Sequence, residues 1–206
     1  MVMKASPDDH AAAEYVCREA AVTPHVFQLA PRLLAAYEVG GWVATLTTHH
    51  RGRFADLTPG SPDLPRVVRA LSAVKRGYAG PPLPCLSDRW SGSFGRDDRR
   101  LFRGPDLLHT NLHRTNLLVT SECRSNPRVR VTGWGRAVVG PAWVEPVLFY
   151  LELRRAGHTP ADALTLLARM PAWRTALPER ITALARWMRS STTAVREQEI
   201  WAELIE

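Results

Sequence analysis

Leu108-His109-Thr110-Asn111-Leu112-His113-Arg114-Thr115-Asn116-Leu117-Leu118 places two imidazoles and two carboxamides within eight residues, closed in by short apolar runs. Leu107-Leu108, Leu117-Leu118-Val119 and Val129 to Thr132 are each long enough only for a short strand. A fold that accepts this pattern must hold a polar loop between strands that fix its ends, which suits a loop carrying chemistry. On spacing alone, the expected partner of His109 and Asn111 is the backbone of their own loop. Zinc is disfavoured, because two histidines four apart on a loop lack a third ligand in a convincing position.

The residues before this loop read as a small αβ piece. Val2 to Ala5 is a short extended start. Ser6-Pro7-Asp8-Asp9 predicts a helix N-terminus, with a capping hydroxyl, an early proline and two carboxylates in the first turn. The helix runs to about Val22 and is ended by Pro24, with Tyr15 and Glu19 one turn apart. Arg32 to Glu38 and Trp42 to Thr47 are apolar runs joined by Val39-Gly40-Gly41, a hairpin signal. A Gly- and Pro-rich loop over 49–65 leads into a helix of about Arg66 to Lys75. Residues 77–103 are irregular, with Gly92, Gly95, Trp90 and Phe94 among them.

Beyond the loop, 121–127 is polar and turn-like, and a helix is expected over 143–156, stopped by Gly157. Thr159-Pro160-Ala161-Asp162 starts another helix. Ile181, Leu184, Trp187 and Met188 share a helical face, as do Ile200, Trp201 and Leu204. Trp143 and Trp187 are expected in the core. The whole is an α+β chain.

The 206 residues carry a formal charge of +7, and of 27 basic side chains only Lys4 and Lys75 are lysine. A basic chain invites phosphate-bearing partners, yet no arginine block or interleaved aromatic platform marks a nucleic-acid groove, so nucleic acid is not the expected partner. No apolar run approaches the roughly 20 residues that cross a bilayer. Cys17, Cys85 and Cys123 are odd in number and far apart, as in reduced thiols of a cytoplasmic protein.

The loop and its neighbours resemble the catalytic core of aminoglycoside phosphotransferases and related small-molecule kinases. The family pattern H-x-D-L-H-x-x-N-[LI]-L reads here as His109 to Leu118, and the following [IV]-D-[WF] reads as Val131-Thr132-Gly133-Trp134. The five-residue step from Asn111 to Asn116 matches the family's step from catalytic aspartate to metal-binding asparagine. Gly140 to Leu148 is similar to the family's helix start, where Glu145 takes the position of a structural carboxylate. Val2-Met3-Lys4-Ala5 resembles the strand whose lysine meets nucleotide phosphates, and Tyr15 to Ala20 the helix whose glutamate, here Glu19, pairs with it. Arg32 to Thr47 resembles the hairpin leading to the hinge, and Thr48 to Phe54 the hinge.

The resemblance implies a protein-kinase-like fold in two parts. Residues 1–50 would form a partial amino lobe, a short antiparallel sheet plus one helix, and 51–206 a mostly helical carboxyl lobe. It implies ATP and magnesium as cofactors, a small-molecule substrate, and phosphoryl transfer to a hydroxyl. Lys4 and Glu19 would meet the nucleotide, while Asn116 and Gly133 stand at the metal positions. Asn111 stands at the base position, with His109 an architectural neighbour in the same loop. Two of these positions depart from the pattern. Asn111 replaces the carboxylate that orients the acceptor hydroxyl and takes its proton, and Gly133 replaces a magnesium-binding carboxylate. The resemblance also implies a glycine-rich hairpin of about 40 residues or more ahead of the lysine strand, and its absence from this sequence is expected to reflect either an amino-terminal truncation or a start assigned too late. The expectation is a kinase-like protein with impaired or absent catalysis, with a non-catalytic binding module and an unusual active kinase as the alternatives.

Overall fold

In the computed structural model of the chain, residues 1–74, 77–90, 98–120 and 128–205 are described. Lys75, Gly92, Phe94, Gly95, Cys123 and the expected turn at 121–127 lie outside them. The first strand, β1 (Val2–Pro7), pairs antiparallel with β3 (Trp42–Thr47), which also pairs with β2 (Leu33–Val39), giving the sheet order β1-β3-β2. Gly40 and Gly41 both take positive φ in the β2–β3 turn, as a two-residue hairpin requires. Helix α1 (Ala12–Val22) lies on this sheet through Ala13, Val16 and Val43, a small apolar cluster separate from the main core.

One local expectation fails here. Ser6-Pro7 does not open the helix. Ser6 pairs with Val43 and Pro7 with Trp42, so both belong to β1, and α1 starts at Ala12 without a side-chain cap. The ladder on β3 outweighs the local capping pattern, and Pro7 is tolerated because β1 is an edge strand that ends there. Pro24 sits in a 3₁₀ turn over Thr23–Val26, just past α1, as expected of a helix terminator.

Two short sheets carry the polar loop. β4 (Gly52–Phe54), β6 (Leu117–Thr120) and β7 (Val129–Val131) form the antiparallel order β4-β6-β7, while β5 (Asp106–Leu108) pairs with β8 (Val138–Gly140). Neither β4 nor β8 is evident from sequence. Each is three residues long, and only its partner makes it a strand. Helix α2 (Leu64–Ser72) begins with Pro65 in its first turn, and α3 (Leu86–Arg89) is a single turn. Then follow α4 (Val144–Arg155), α5 (Pro160–Leu167), α6 (Pro178–Ser191) and α7 (Val195–Ala202). Gly157 ends the turn after α4 at φ +98°, and the Thr159 hydroxyl accepts the Asp162 N–H at 3.1 Å, capping α5 as its sequence indicates.

The main core gathers Leu108, Leu117, Val131, Val147, Leu153 and Trp201 around α4. Trp143 is buried in it, whereas Trp187 stacks on Trp90 at 4.0 Å between ring centroids. No helix is long and apolar enough to cross a membrane among the described residues.

Asp63, just before α2, has a fully buried side chain. It accepts two hydrogen bonds from Arg53 of β4, at 2.5 and 3.0 Å, and one from the Asp56 N–H at 3.0 Å. Burial opposes its ionisation, but Arg53 and the Asp56 N–H outweigh that, holding the carboxyl below its ordinary range. A depressed carboxyl contributes stability above its unfolded pKa of about 4 and loses it as pH falls through the folded value. Asp63→Ala leaves the Asp56 N–H without its acceptor, so an unfolding titration at pH 7 should show a loss of about 1–3 kcal/mol. The deficit should shrink on acidification, and a variant as stable as the parent at pH 7 would refute this role.

Candidate functional site

The site is built where loop 109–116 meets the turn after β7. His109 is buried, and its Nε2 donates to the Thr132 carbonyl at 2.8 Å. That carbonyl can only accept, so Nδ1 is the bare nitrogen, and it accepts the Asn111 N–H at 3.2 Å. The ring also meets Trp134 edge to face, with centroids 4.7 Å apart. Asn116 closes the same unit: its Nδ2 donates to the Asn111 carbonyl at 2.8 Å, and its own carbonyl accepts the Thr132 N–H at 2.9 Å. Loop and turn are therefore a single hydrogen-bonded block.

Thr110 is the one non-glycine residue at positive φ among the described residues, at +58°. Two contacts hold it in this unfavourable region. Its N–H donates to Glu145 Oε1 at 2.8 Å, and its hydroxyl to the Arg136 carbonyl at 2.8 Å. Glu145, in the first turn of α4, thus faces the loop backbone, the structural part that its family position implies, and is not turned toward a metal position.

Lys4 reaches from β1 to Glu19 on α1, with Nζ at 2.6 and 2.8 Å from the two carboxylate oxygens. The Gly133 N–H donates to the same carboxylate at 3.3 Å. The ion pair is thereby joined to the block containing Asn111 and Asn116. Helix α1 sits this close because Gly135 lacks a side chain. A Cβ there would lie 2.5 Å from the Tyr15 carbonyl oxygen, and Arg18 donates to the Gly135 carbonyl at 3.2 Å. Arg136 adds its guanidinium over the Tyr15 ring at 5.4 Å.

All six residues singled out from sequence, Lys4, Glu19, His109, Asn111, Asn116 and Gly133, are therefore linked through one chain of contacts. Gly135, Thr110 and Arg18 were not legible as site residues, because their roles come from contacts across the fold. Glu152, Arg155 and Trp201 were missed as well. They join Asn111 and His113 in lining a cavity of about 230 Å³ beside the loop. Glu152 there is buried and paired with Arg155, which also pairs with Glu197.

Gly133 sits at φ +78°, and a Cβ at this position would lie 2.7 Å from Asn116 Oδ1. The amide of Asn116 occupies the space that a side chain at 133 would take. This donor set fits magnesium poorly. The ion prefers anionic oxygen, but Asn116 is neutral, Glu19 is engaged by Lys4, and Glu145 is engaged by the loop backbone. No group of three His, Cys, Asp or Glu side chains is gathered for a metal among the described residues.

Burial pushes the His109 imidazole down to about 4, against the Thr132 carbonyl and with the Lys4 charge, so the ring is neutral near pH 7. It works as a positioning group. Burial pushes the Glu145 carboxyl up to about 7, opposed by the N–H donors of Thr110 and His109. A raised carboxyl stabilises the fold fully below its unfolded pKa and loses that contribution as pH rises through about 7. Glu145→Gln keeps an acceptor for the Thr110 N–H and removes the titration. Melting curves should therefore show the variant gaining on the parent between pH 5 and about 8, while Glu145→Ala is less stable at both. A parallel pH profile for parent and Gln variant would refute the assignment.

No protein-family model matches the sequence, and no curated protein matches it. Solved structures do match by fold. Choline kinase LicA from Streptococcus pneumoniae superposes with a TM-score of 0.58 at 10% identity, over 98% of this chain and 77% of the neighbour. Its complex with AMP gives 0.60 at 9% identity, over 98% and 76%. A thermostable mutant of aminoglycoside phosphotransferase APH(4)-Ia, in a ternary complex with ADP and hygromycin B, gives 0.53 at 15% identity, over 98% and 85%. The expected α+β, kinase-like architecture holds over nearly the whole chain, and at these identities the likeness speaks for the fold alone. This chain has the kinase-like phosphotransferase fold that choline kinase and the aminoglycoside phosphotransferases share.

Proposed function

We propose that this chain is a kinase-fold protein of the small-molecule phosphotransferase type in which ATP-dependent phosphoryl transfer is impaired or lost, and which acts by binding. The observation that carries this reading is the pairing of Asn111 with Gly133, together with the Asn116 amide filling the space beside Gly133. A neutral amide can orient a hydroxyl but is a negligible base, and single groups of this kind are worth on the order of 10²–10⁴ in rate. A glycine supplies no metal ligand. The nucleotide end is better preserved, since the Lys4–Glu19 pair is formed and Lys4 is half exposed, with one of its three N–H donors left by Glu19 for a phosphate.

The reading predicts nucleotide binding without metal dependence. ATP at about 100 times its dissociation constant should stabilise the fold by roughly 2.7 kcal/mol, with or without magnesium. Lys4→Met should abolish that shift. With magnesium, ATP and either choline or hygromycin B, no product is expected, and turnover of about 1 per second or faster overturns the proposal.

Restoration tests the pocket itself. In Asn111→Asp/Gly133→Asp two carboxylates return, at the cost of a side chain at φ +78° and of moving the Asn116 amide off the Asn111 carbonyl. ATP affinity should then rise at least about tenfold on adding magnesium, a gain of about 1.4 kcal/mol. If the folded double variant shows no such gain, the nucleotide pocket is not retained. The small-molecule end is supported by the cavity beside Asn111. The buried Glu152 carboxylate there suits a cationic ligand once Arg155 is displaced onto Glu197.

A further inference from the structure

Away from this site, a half-open cavity of about 580 Å³ lies between the 3₁₀ turn after α1, the helix α2 and the strand β7. Four arginines line it, Arg66, Arg69, Arg128 and Arg130, together with Phe27 and Val129. Two local periodicities assemble them. Arg66 and Arg69 are neighbours at i, i+3 on α2, and Arg128 and Arg130 are two apart on one extended segment, so they share a face. β7 is tied to the third wall, the segment after α1, by the Val131 N–H, which donates to the Leu29 carbonyl at 2.9 Å.

The arginines are held at different strengths. Arg130 Nη1 donates to the carbonyls of Phe27 and Gln28 at 3.5 and 3.0 Å, which fixes its guanidinium. Its Nε is buried without a hydrogen-bond partner among the described residues. Arg66 donates to the Pro62 carbonyl at 2.8 Å and lies 3.5 Å from Asp63, whose carboxylate is already shared with Arg53. Among the described residues, no ion pair or side-chain hydrogen bond engages Arg69 or Arg128. No carboxylate is among the described residues lining the cavity. Four like charges around one concavity repel, and they focus a positive potential into it that an anion would relieve.

We propose that this cavity is a binding site for a small phosphomonoester carried on an apolar body. Its volume falls within the range of small-molecule pockets. The guanidinium forks suit the oxygens of a phosphate. Phe27, 57% exposed, and Val129 supply the apolar surface that a bare phosphate would leave unused. The site is separate from the Lys4–Glu19 pair and from the loop 109–116, so it stands or falls independently of the function proposed above.

Calorimetric titration of the full chain with phenyl phosphate, inorganic phosphate and benzyl alcohol tests the assignment. Phenyl phosphate should bind saturably at one site, inorganic phosphate at least about tenfold more weakly, and benzyl alcohol not at all up to about 10 mM. Arg69→Ala/Arg128→Ala, two exposed positions whose change leaves the core intact, should weaken phenyl phosphate at least about tenfold. Arg189→Ala on α6 should stay within about twofold of the parent. An undiminished affinity in the double arginine variant, or loss of binding in Arg189→Ala, overturns the site. Equal affinities for phosphate and phenyl phosphate overturn the organic ligand. Tight binding of an oligonucleotide or polyglutamate, with none of phenyl phosphate, overturns the small-molecule assignment in favour of a macromolecular surface.

Discussion

The hydrogen-bonded block made by loop 109–116 and the turn at 132–136 is the constraint on which the rest of the molecule depends. His109 bridges Thr132 and Asn111, Asn116 bridges the same two segments from the other side, and Glu145 and Arg136 hold the strained Thr110. The short sheets on either side supply the anchor points, because β5, β6, β7 and β8 each end at or beside this block. On its far side, Gly135 lets α1 approach until Glu19 accepts the Gly133 N–H of the turn. The small first sheet, which shares little apolar core with the remainder, is thus coupled to the loop by α1 and by one ion pair.

The electrostatics of the block explain why it is a scaffold before it is a catalyst. His109 is neutral and Glu145 titrates near neutrality, both because they are buried, and both spend their polar atoms on backbone groups. None of these interactions needs a substrate. Under the proposed function, the positions that would act on one are 111 and 133, and these hold a neutral amide and a glycine. The net charge of +7 is spread along the sequence but not through space, since four arginines from α2 and the start of β7 converge on one cavity.

Features decided by a few neighbouring residues were legible in the sequence. The Gly40-Gly41 hairpin, the stop at Gly157 and the Thr159 cap depend on backbone preferences or hydrogen bonds that span four residues or fewer. The Ser6-Pro7 signal has the same grammar as Thr159-Pro160, yet it failed. Before Thr159 the backbone bonds back to α4 and no strand pairs with it, whereas at Ser6 a neighbouring strand claims the backbone. β4 and β8 escaped notice for the converse reason, since three residues carry no period that identifies a strand without its partner. Of the site, the chemistry-bearing positions were visible as a spacing. Their supports, Thr110, Gly135 and Arg18, were not, because each acts through a residue 26 to 120 positions away, as Arg18 does on Gly135 at a separation of 117.

By itself the sequence determined the order of elements, the polar loop between short strands, and the absence of carboxylates at positions 111 and 133. Those are properties of residue identity and short spacing. Only the tertiary structure decided that the Asn116 amide occupies the space beside Gly133, that Glu145 serves the loop backbone, and that scattered arginines share one cavity. Each of these depends on which distant atoms come within bonding distance, and that is set by how the helices and sheets pack.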